Sequence, residues 1–209
     1  MVSFRMDPDR PDADLLSGAA SVLRAGGIVA FPTDTLYGLA VDPCSRAAVA
    51  QLYRIKGRRV DQAIPLIASD LQQVEACAGR LLPLARSLAE RFWPGPLTIV
   101  IPAWAGLDAA VHAGRGTVGI RVPAHALARS FAAACGGPVT ATSANRSGEP
   151  ATSLPEEVFR RLSRHLDALV DGGPSPGGPP STIVDATGTS PRLVRAGAVA
   201  WEHVLECPQ

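Results

Sequence analysis

The apolar positions of the chain fall into two rhythms. Short, mostly apolar runs, IVAF (28–31), IPLIA (64–68), LTIVI (97–101), VGIRV (118–122) and PVTAT (138–142), have the length and make-up of buried strands. DALVD (167–171), STIVDA (181–186) and RLVRA (192–196) continue the series. Between them lie stretches of helical period: LLSGAASVLRA, RAAVAQLYRI, 70–79, 81–92, ALARSFAAAC and 155–165. Asp12 or Asp14 is placed to cap the first helix and Ser45 the second, while Gly26 and Gly27 stop the first. Pro32 ends the strand at 28–31, and residues 32–43 read as a loop of small polar groups. WPGP (93–96) breaks the helix at 81–92.

Strands and helices mix without a regular strand–helix–strand beat. This predicts an α/β (mixed α+β) class, with a twisted mixed sheet and flanking helices. No internal repeat is present. The run GGPSPGGPP (172–180) has the composition of a linker. About 29 residues follow it, too few for a second core. It is therefore expected to be a loop within one domain.

Composition narrows the function. At 46% hydrophobic and 19% charged, 209 residues can bury a substantial core. A formal net charge of +1 speaks against a general nucleic-acid binder, though not against a local basic cleft. Cys44, Cys77, Cys135 and Cys207 are widely spaced and form no CxxC pair, so neither a zinc site nor a disulfide framework is expected. The four histidines show no metal spacing, and neither GxSxG, GxGxxG nor a P-loop is present. No apolar run approaches the ~18 residues of a membrane span, and the N-terminus lacks a signal-peptide core. The expectation is a soluble, cytoplasmic protein without a membrane partner.

Polar groups gather where strands end. Thr33, Asp34 and Thr35 follow the strand at 28–31, a usual place for ligands in α/β sheets, and equally a turn whose hydroxyls bond nearby backbone. Lys56 is the sole lysine among twenty Lys and Arg residues. A chain that tolerates arginine elsewhere suggests that here a compact point charge is needed. With Arg58 across Gly57, it forms a pair of cations suited to a polyphosphate, or simply a solvated helix end. Ser143 and Asn145 end a strand and offer a hydroxyl and an amide. Glycines of 172–180 could turn backbone N–H groups toward an anion.

Taken together these stretches resemble the YrdC-type family, the threonylcarbamoyl-AMP synthases. FPTDTLYGLAVD is similar to the family's FPT[ED]TVYGLG block, KGR (56–58) to its KxR element and SAN (143–145) to its SxN element. FWPGPLTIVI, VGIRVPAH, DGGPSPGG…STIVD and PRLVRAGAV follow in family order. The resemblance covers about residues 12–199, which implies one YrdC-like domain with a concave basic cleft and terminal extensions at 1–11 and 200–209. The activity implied is formation of threonylcarbamoyl-AMP and pyrophosphate from L-threonine, bicarbonate and ATP with Mg2+. The threonylcarbamoyl group would then pass to tRNA through a downstream transferase complex.

By the same resemblance, Thr33, Arg121, Ala141 and Ser181 would hold threonine. Lys56, Arg58, Thr117, Ser143, Asn145, Ala151 and Arg195 would hold ATP, with Lys56 and Arg58 at the reacting phosphates. No protein carboxylate stands out as a metal ligand. Departures exist: Arg59 stands where the family has proline, about two residues are added before Pro65, and Ser69 replaces a histidine found in some members. Two alternatives remain at this point, a tRNA or double-stranded RNA-binding module and a paralogue that has lost synthase activity.

Overall fold

Local signals open and close the helices of the computed structural model, which describes residues 1–207. Asp12 accepts hydrogen bonds from the Asp14 and Leu15 amides and opens α1 (Ala13–Arg24). Ser45 caps α2 (Arg46–Lys56), and Gly57 stops it at a left-handed φ of 58°, a conformation cheap only for glycine. Asp70 caps α3 (Leu71–Ala78), Pro83 begins α4 (Pro83–Phe92), and the His125 ring caps α5 (Ala126–Cys135). The remaining helices are α6 (Pro155–Leu162) and the short α7 (Trp201–Leu205).

The strands are β1 (Val2–Arg5), β2 (Val29–Phe31), β3 (Gly38–Ala40), β4 (Leu66–Ile67), β5 (Leu97–Pro102), β6 (Thr117–Arg121), β7 (Val139–Thr140), β8 (Thr142–Ser143), β9 (Ala168–Asp171), β10 (Thr182–Asp185) and β11 (Arg192–Arg195). The mixed α/β class holds, with two mixed sheets where one was expected. The first runs β1-β9-β2-β3-β8 and the second β11-β10-β5-β6-β4-β7. The expected strand at 138–142 accounts for the difference. It splits at Ala141, so that β7 joins the second sheet and β8 the first. At the split the Ala141 amide donates to the Pro65 carbonyl.

Alternation along β2 explains the layers. Ala30 faces a core that includes Leu39, Leu97, Ile99 and Ile120, so both sheets share it. Val29 and Phe31 face a second core with Leu16 and Leu23 of α1 and Leu127 and Phe131 of α5. The Phe31 and Phe131 rings lie 5.4 Å apart.

Three elements depart from expectation. Residues 38–40, expected as loop, form β3 between β2 and β8. Within 1–11, expected as an extension, β1 pairs in parallel with β9 from Val2↔Ala168 to Arg5↔Asp171. Within 200–209, Val204 and Cys207 are buried in the shared core. The loop 172–180 connects β9 of one sheet to β10 of the other and is tied down by backbone bonds from Ser175 to Ser153 and from Gly177 to Thr35.

Candidate active site

A cavity of about 440 Å3 opens where the chain passes between the sheets at Ala141. Its volume lies within the ~300–1,000 Å3 usual for small-molecule sites. Thr33, Arg58, Arg121, Ala141, Ser143, Ala151, Ser181 and Arg195, all expected at a site from sequence, line it. A larger groove of about 640 Å3 runs past Gln51, Arg54 and the backs of Lys56 and Gly57. None of the residues expected from sequence to hold threonine reaches that groove, so the smaller cavity is the candidate site.

Three guanidinium groups line the cavity, and each is fixed by backbone. Arg121, 7% exposed, donates from Nε to the Gly95 carbonyl at 2.9 Å and from Nη2 to Asp34 Oδ2. The Ala124 amide also donates to that oxygen, at 3.3 Å. Among the described residues Asp34 Oδ1 is buried without a partner. Burial pulls the Arg121 pKa below its usual value, the Asp34 carboxylate opposes that, and the Arg195 charge adds to it. Arg58 donates to the Gln62 and Ala63 carbonyls at 3.1 and 2.7 Å, so one side chain both lines the cavity and shapes the loop after α2. Arg195 grips Ser181, with Nη2 2.7 Å from its carbonyl and 3.2 Å from its hydroxyl. Gly197 permits that approach. A Cβ there would lie 2.3 Å from the Pro180 carbonyl oxygen, so no other residue fits without moving the strand.

Hydroxyls complete the wall. Thr33 Oγ1 donates to the Leu36 carbonyl at 2.7 Å and lies 3.1 Å from Thr35 Oγ1, which closes the turn after β2. Ser181 Oγ lies 2.8 Å from Thr98 Oγ1. Tyr37 lines the cavity and donates from its hydroxyl to the Gly173 carbonyl at 2.7 Å, fastening the glycine loop. Burial and the Asp171 charge raise the Tyr37 pKa, so the phenol stays a donor.

Lys56 and Asn145 stand behind this wall. The ammonium of Lys56, 2% exposed, donates to the Ser143 carbonyl at 2.5 Å, the Asn145 carbonyl at 2.9 Å and Asn145 Oδ1 at 3.0 Å. Its three donors thus meet three oxygens of the segment that carries Ser143. Asn145 Oδ1 also accepts from Ser143 Oγ at 2.6 Å, and Nδ2 donates to the Glu149 carbonyl at 2.5 Å. Burial, and secondarily the Arg58 charge, push the Lys56 pKa down to about 8. Thr117 lies outside the cavity, at the start of β6. It lies four positions before Arg121, about 13 Å along a strand.

Sequence reading missed Tyr37 and Thr98 and left Asp34 without a role. Thr98 carried a signal, a hydroxyl inside the otherwise aliphatic run LTIVI. The reach of Tyr37 to Gly173 spans 136 residues, and no local pattern encodes it.

The fold agrees with comparisons to known proteins. The Sua5/YciO/YrdC family model, described as telomere recombination, matches residues 21–197. A threonylcarbamoyl-AMP synthase of Bacillus subtilis is 37% identical over 190 residues, 90% of this chain and 55% of that protein. The chain thus spans about half the length of that relative. A threonylcarbamoyl-AMP synthase of Stenotrophomonas maltophilia is 38% identical over 173 residues, 82% of this chain and 93% of that protein. The crystal structure of P. abyssi Sua5 complexed with L-threonine superposes with a TM-score of 0.89 at 32% identity, covering 99% of this chain and 61% of that one. With the match running through most of its length, the chain belongs to the Sua5/YciO/YrdC family.

Proposed function

We propose that the chain makes threonylcarbamoyl-AMP and pyrophosphate from L-threonine, bicarbonate and ATP. The observation that carries this reading is the convergence of Arg58, Arg121, Ser143, Ser181 and Arg195, scattered through the sequence, on one cavity. The similarity to a protein crystallised with L-threonine supports the same substrate here.

In this reading Arg121 receives the threonine carboxylate. Two of its nitrogens are held by Gly95 and Asp34, which fixes the fork before the ligand arrives. Thr33, Ala141 and Ser181 contact the rest of the amino acid. The amine attacks the bicarbonate carbon and water leaves, giving an N-carboxylate whose oxygen attacks the α-phosphorus of ATP while pyrophosphate leaves. The protein performs no covalent step. It holds two anions in line, offsets their repulsion with Arg58 and Arg195, and shields the fragile carbamate from water.

Ser143 faces the nucleotide, and Ala151 touches it at the cavity wall. Asn145 and Lys56 act from behind by holding the Ser143 segment; a direct phosphate contact from Lys56 would require it to release one of its three oxygens. Thr117 would join only through the strand it begins. Among the described residues no group of three His, Cys, Asp or Glu side chains could hold a metal ion. Mg2+ would therefore enter with the ATP phosphates, and no step is assigned to it. A concave basic cleft, a cytoplasmic setting and hand-over of the product to a tRNA-modifying transferase accompany this reading. Among the described residues no helix is long and apolar enough to cross a membrane.

Release of pyrophosphate from ATP that requires both L-threonine and bicarbonate tests the proposal. Steeply salt-dependent RNA binding without turnover would replace it with the RNA-binding alternative. Absence of turnover and of RNA binding would leave the inactive paralogue.

A further inference from the structure

A hydroxyl inside an otherwise aliphatic strand faces the candidate site. Leu97, Ile99 and Ile101 of β5 point into the shared core, so Thr98 between them points to the opposite face, where it lines the cavity. Strands β6 and β10 flank β5 and orient this side chain. Its methyl lies 3.1 Å from where a Cβ on Gly119 of β6 would stand, so the glycine makes room for it. Its Oγ1 turns the other way, 2.8 Å from Oγ of Ser181, just before β10. Thr98 Oγ1 has no other hydrogen-bond partner among the described residues.

The two hydroxyls carry two hydrogens, and one of these forms the bond between them. Ser181 Oγ also accepts an N–H from Arg195 Nη2 at 3.2 Å. The second hydrogen therefore has no acceptor among the described residues. A chain that runs from Arg195 through Ser181 to Thr98 gives each oxygen one donor, and each link polarises the next. The reverse order puts two donors on Ser181 Oγ and none on Thr98 Oγ1. The better-distributed chain ends on the Thr98 hydrogen, at the cavity wall.

The neighbours of Thr98 define what that hydrogen meets. Ile99 pairs with Ile120, so the next positions, Thr98 and Arg121, adjoin on the cavity face. Ile67 of β4 pairs with Arg121 from the other side and also lines the cavity. Arg121 thus stands between a hydroxyl and an aliphatic side chain. An amino acid with a hydroxyl and a methyl on its β-carbon presents a carboxylate, a hydroxyl and a methyl from adjoining carbons, which matches this row.

We propose that Thr98 is a specificity-determining residue whose O–H bonds the β-hydroxyl of the amino acid, an assignment that rests on the synthase reading. Valine has the same shape, with a methyl in place of that hydroxyl. Bound valine leaves the Thr98 hydrogen against a methyl group, without an acceptor and cut off from water. The substrate class is the β-hydroxy-α-amino acids.

The test measures binding of L-threonine and L-valine to the whole chain by calorimetry, and pyrophosphate release from ATP with each. The parent should prefer threonine in both. Thr98→Val should cut the threonine-to-valine ratio about tenfold, the equivalent of one lost hydrogen bond, with the ATP KM little changed. Thr98→Ser keeps the hydroxyl and should hold most of the ratio. A merely structural role for Thr98 would weaken both amino acids alike and leave the ratio where it was. An unchanged ratio in Thr98→Val, or a ratio lost in Thr98→Ser, would overturn the assignment while leaving the synthase reading intact. A parent that neither binds threonine nor needs it for pyrophosphate release would overturn the synthase reading, and this assignment with it.

Discussion

Replacing Lys56 by methionine removes an ammonium while keeping an unbranched stem of similar length. Two backbone carbonyls lose the ammonium donor, and Asn145 Oδ1 is left with Ser143 Oγ alone. A hydrogen bond to a charged group contributes about 1.5–3 kcal/mol. Three together would exceed 4 kcal/mol, but the variant is also relieved of burying an ammonium, which costs several kcal/mol. The balance is a destabilisation of about 2–4 kcal/mol. For a chain of this size that lowers the thermal midpoint by roughly 4–16 °C. Lys56→Arg keeps the charge but offers a planar fork where the three oxygens surround a single nitrogen. It should lose most of the synthase activity. The assays are denaturant unfolding, thermal melting and pyrophosphate release. A Lys56→Met chain within ~0.5 kcal/mol of the parent, the range of ordinary surface changes, would refute the structural reasoning. A Lys56→Arg chain with near-normal turnover would refute the need for lysine.

Activity should fall as pH rises through about 8, where Lys56 gives up its proton and its third donor. The unfolded chain keeps that proton to about 10.4, so between the two values it binds more protons and this group's contribution to stability rises with pH. An alkaline activity loss with no parallel loss of folding is the expected signature; parallel loss would contradict it. Asp34→Asn removes the charge that orients Arg121, and should raise the threonine KM about tenfold, roughly the ~1.4 kcal/mol of one weakened charged bond, with the ATP KM little changed. Equal effects on both substrates would count against the assignment. Gly197→Ala should destabilise the chain by about 1–3 kcal/mol, because its Cβ meets the backbone at Pro180. Unchanged denaturant midpoints would show that β11 yields freely.

Much of this was legible in the chain because local rules applied. Capping by Asp12 and Ser45, the stop at Gly26 and the buried runs at 97–101 and 118–122 need only neighbouring residues. The candidate site residues were legible as motifs, and most of them meet in one cavity. What was not legible is long-range. PVTAT reads as one strand, and only the meeting of two sheets divides it at Ala141. Val2–Arg5 is short and mostly exposed, so nothing in its pattern announces the pairing with β9. Lys56 was recognised as singular and expected at the phosphates. The oxygens it meets lie 87 and 89 residues away, and their arrangement explains the preference for lysine without a ligand.

Mass spectrometry of the product formed from ATP, L-threonine and isotopically labelled bicarbonate tests the central claim most directly. A threonylcarbamoyl adenylate carrying the bicarbonate label, formed together with pyrophosphate, is the result expected. ATP left intact, or adenylate formed without the label, would contradict a cavity that seats the triphosphate beside a carboxylated threonine.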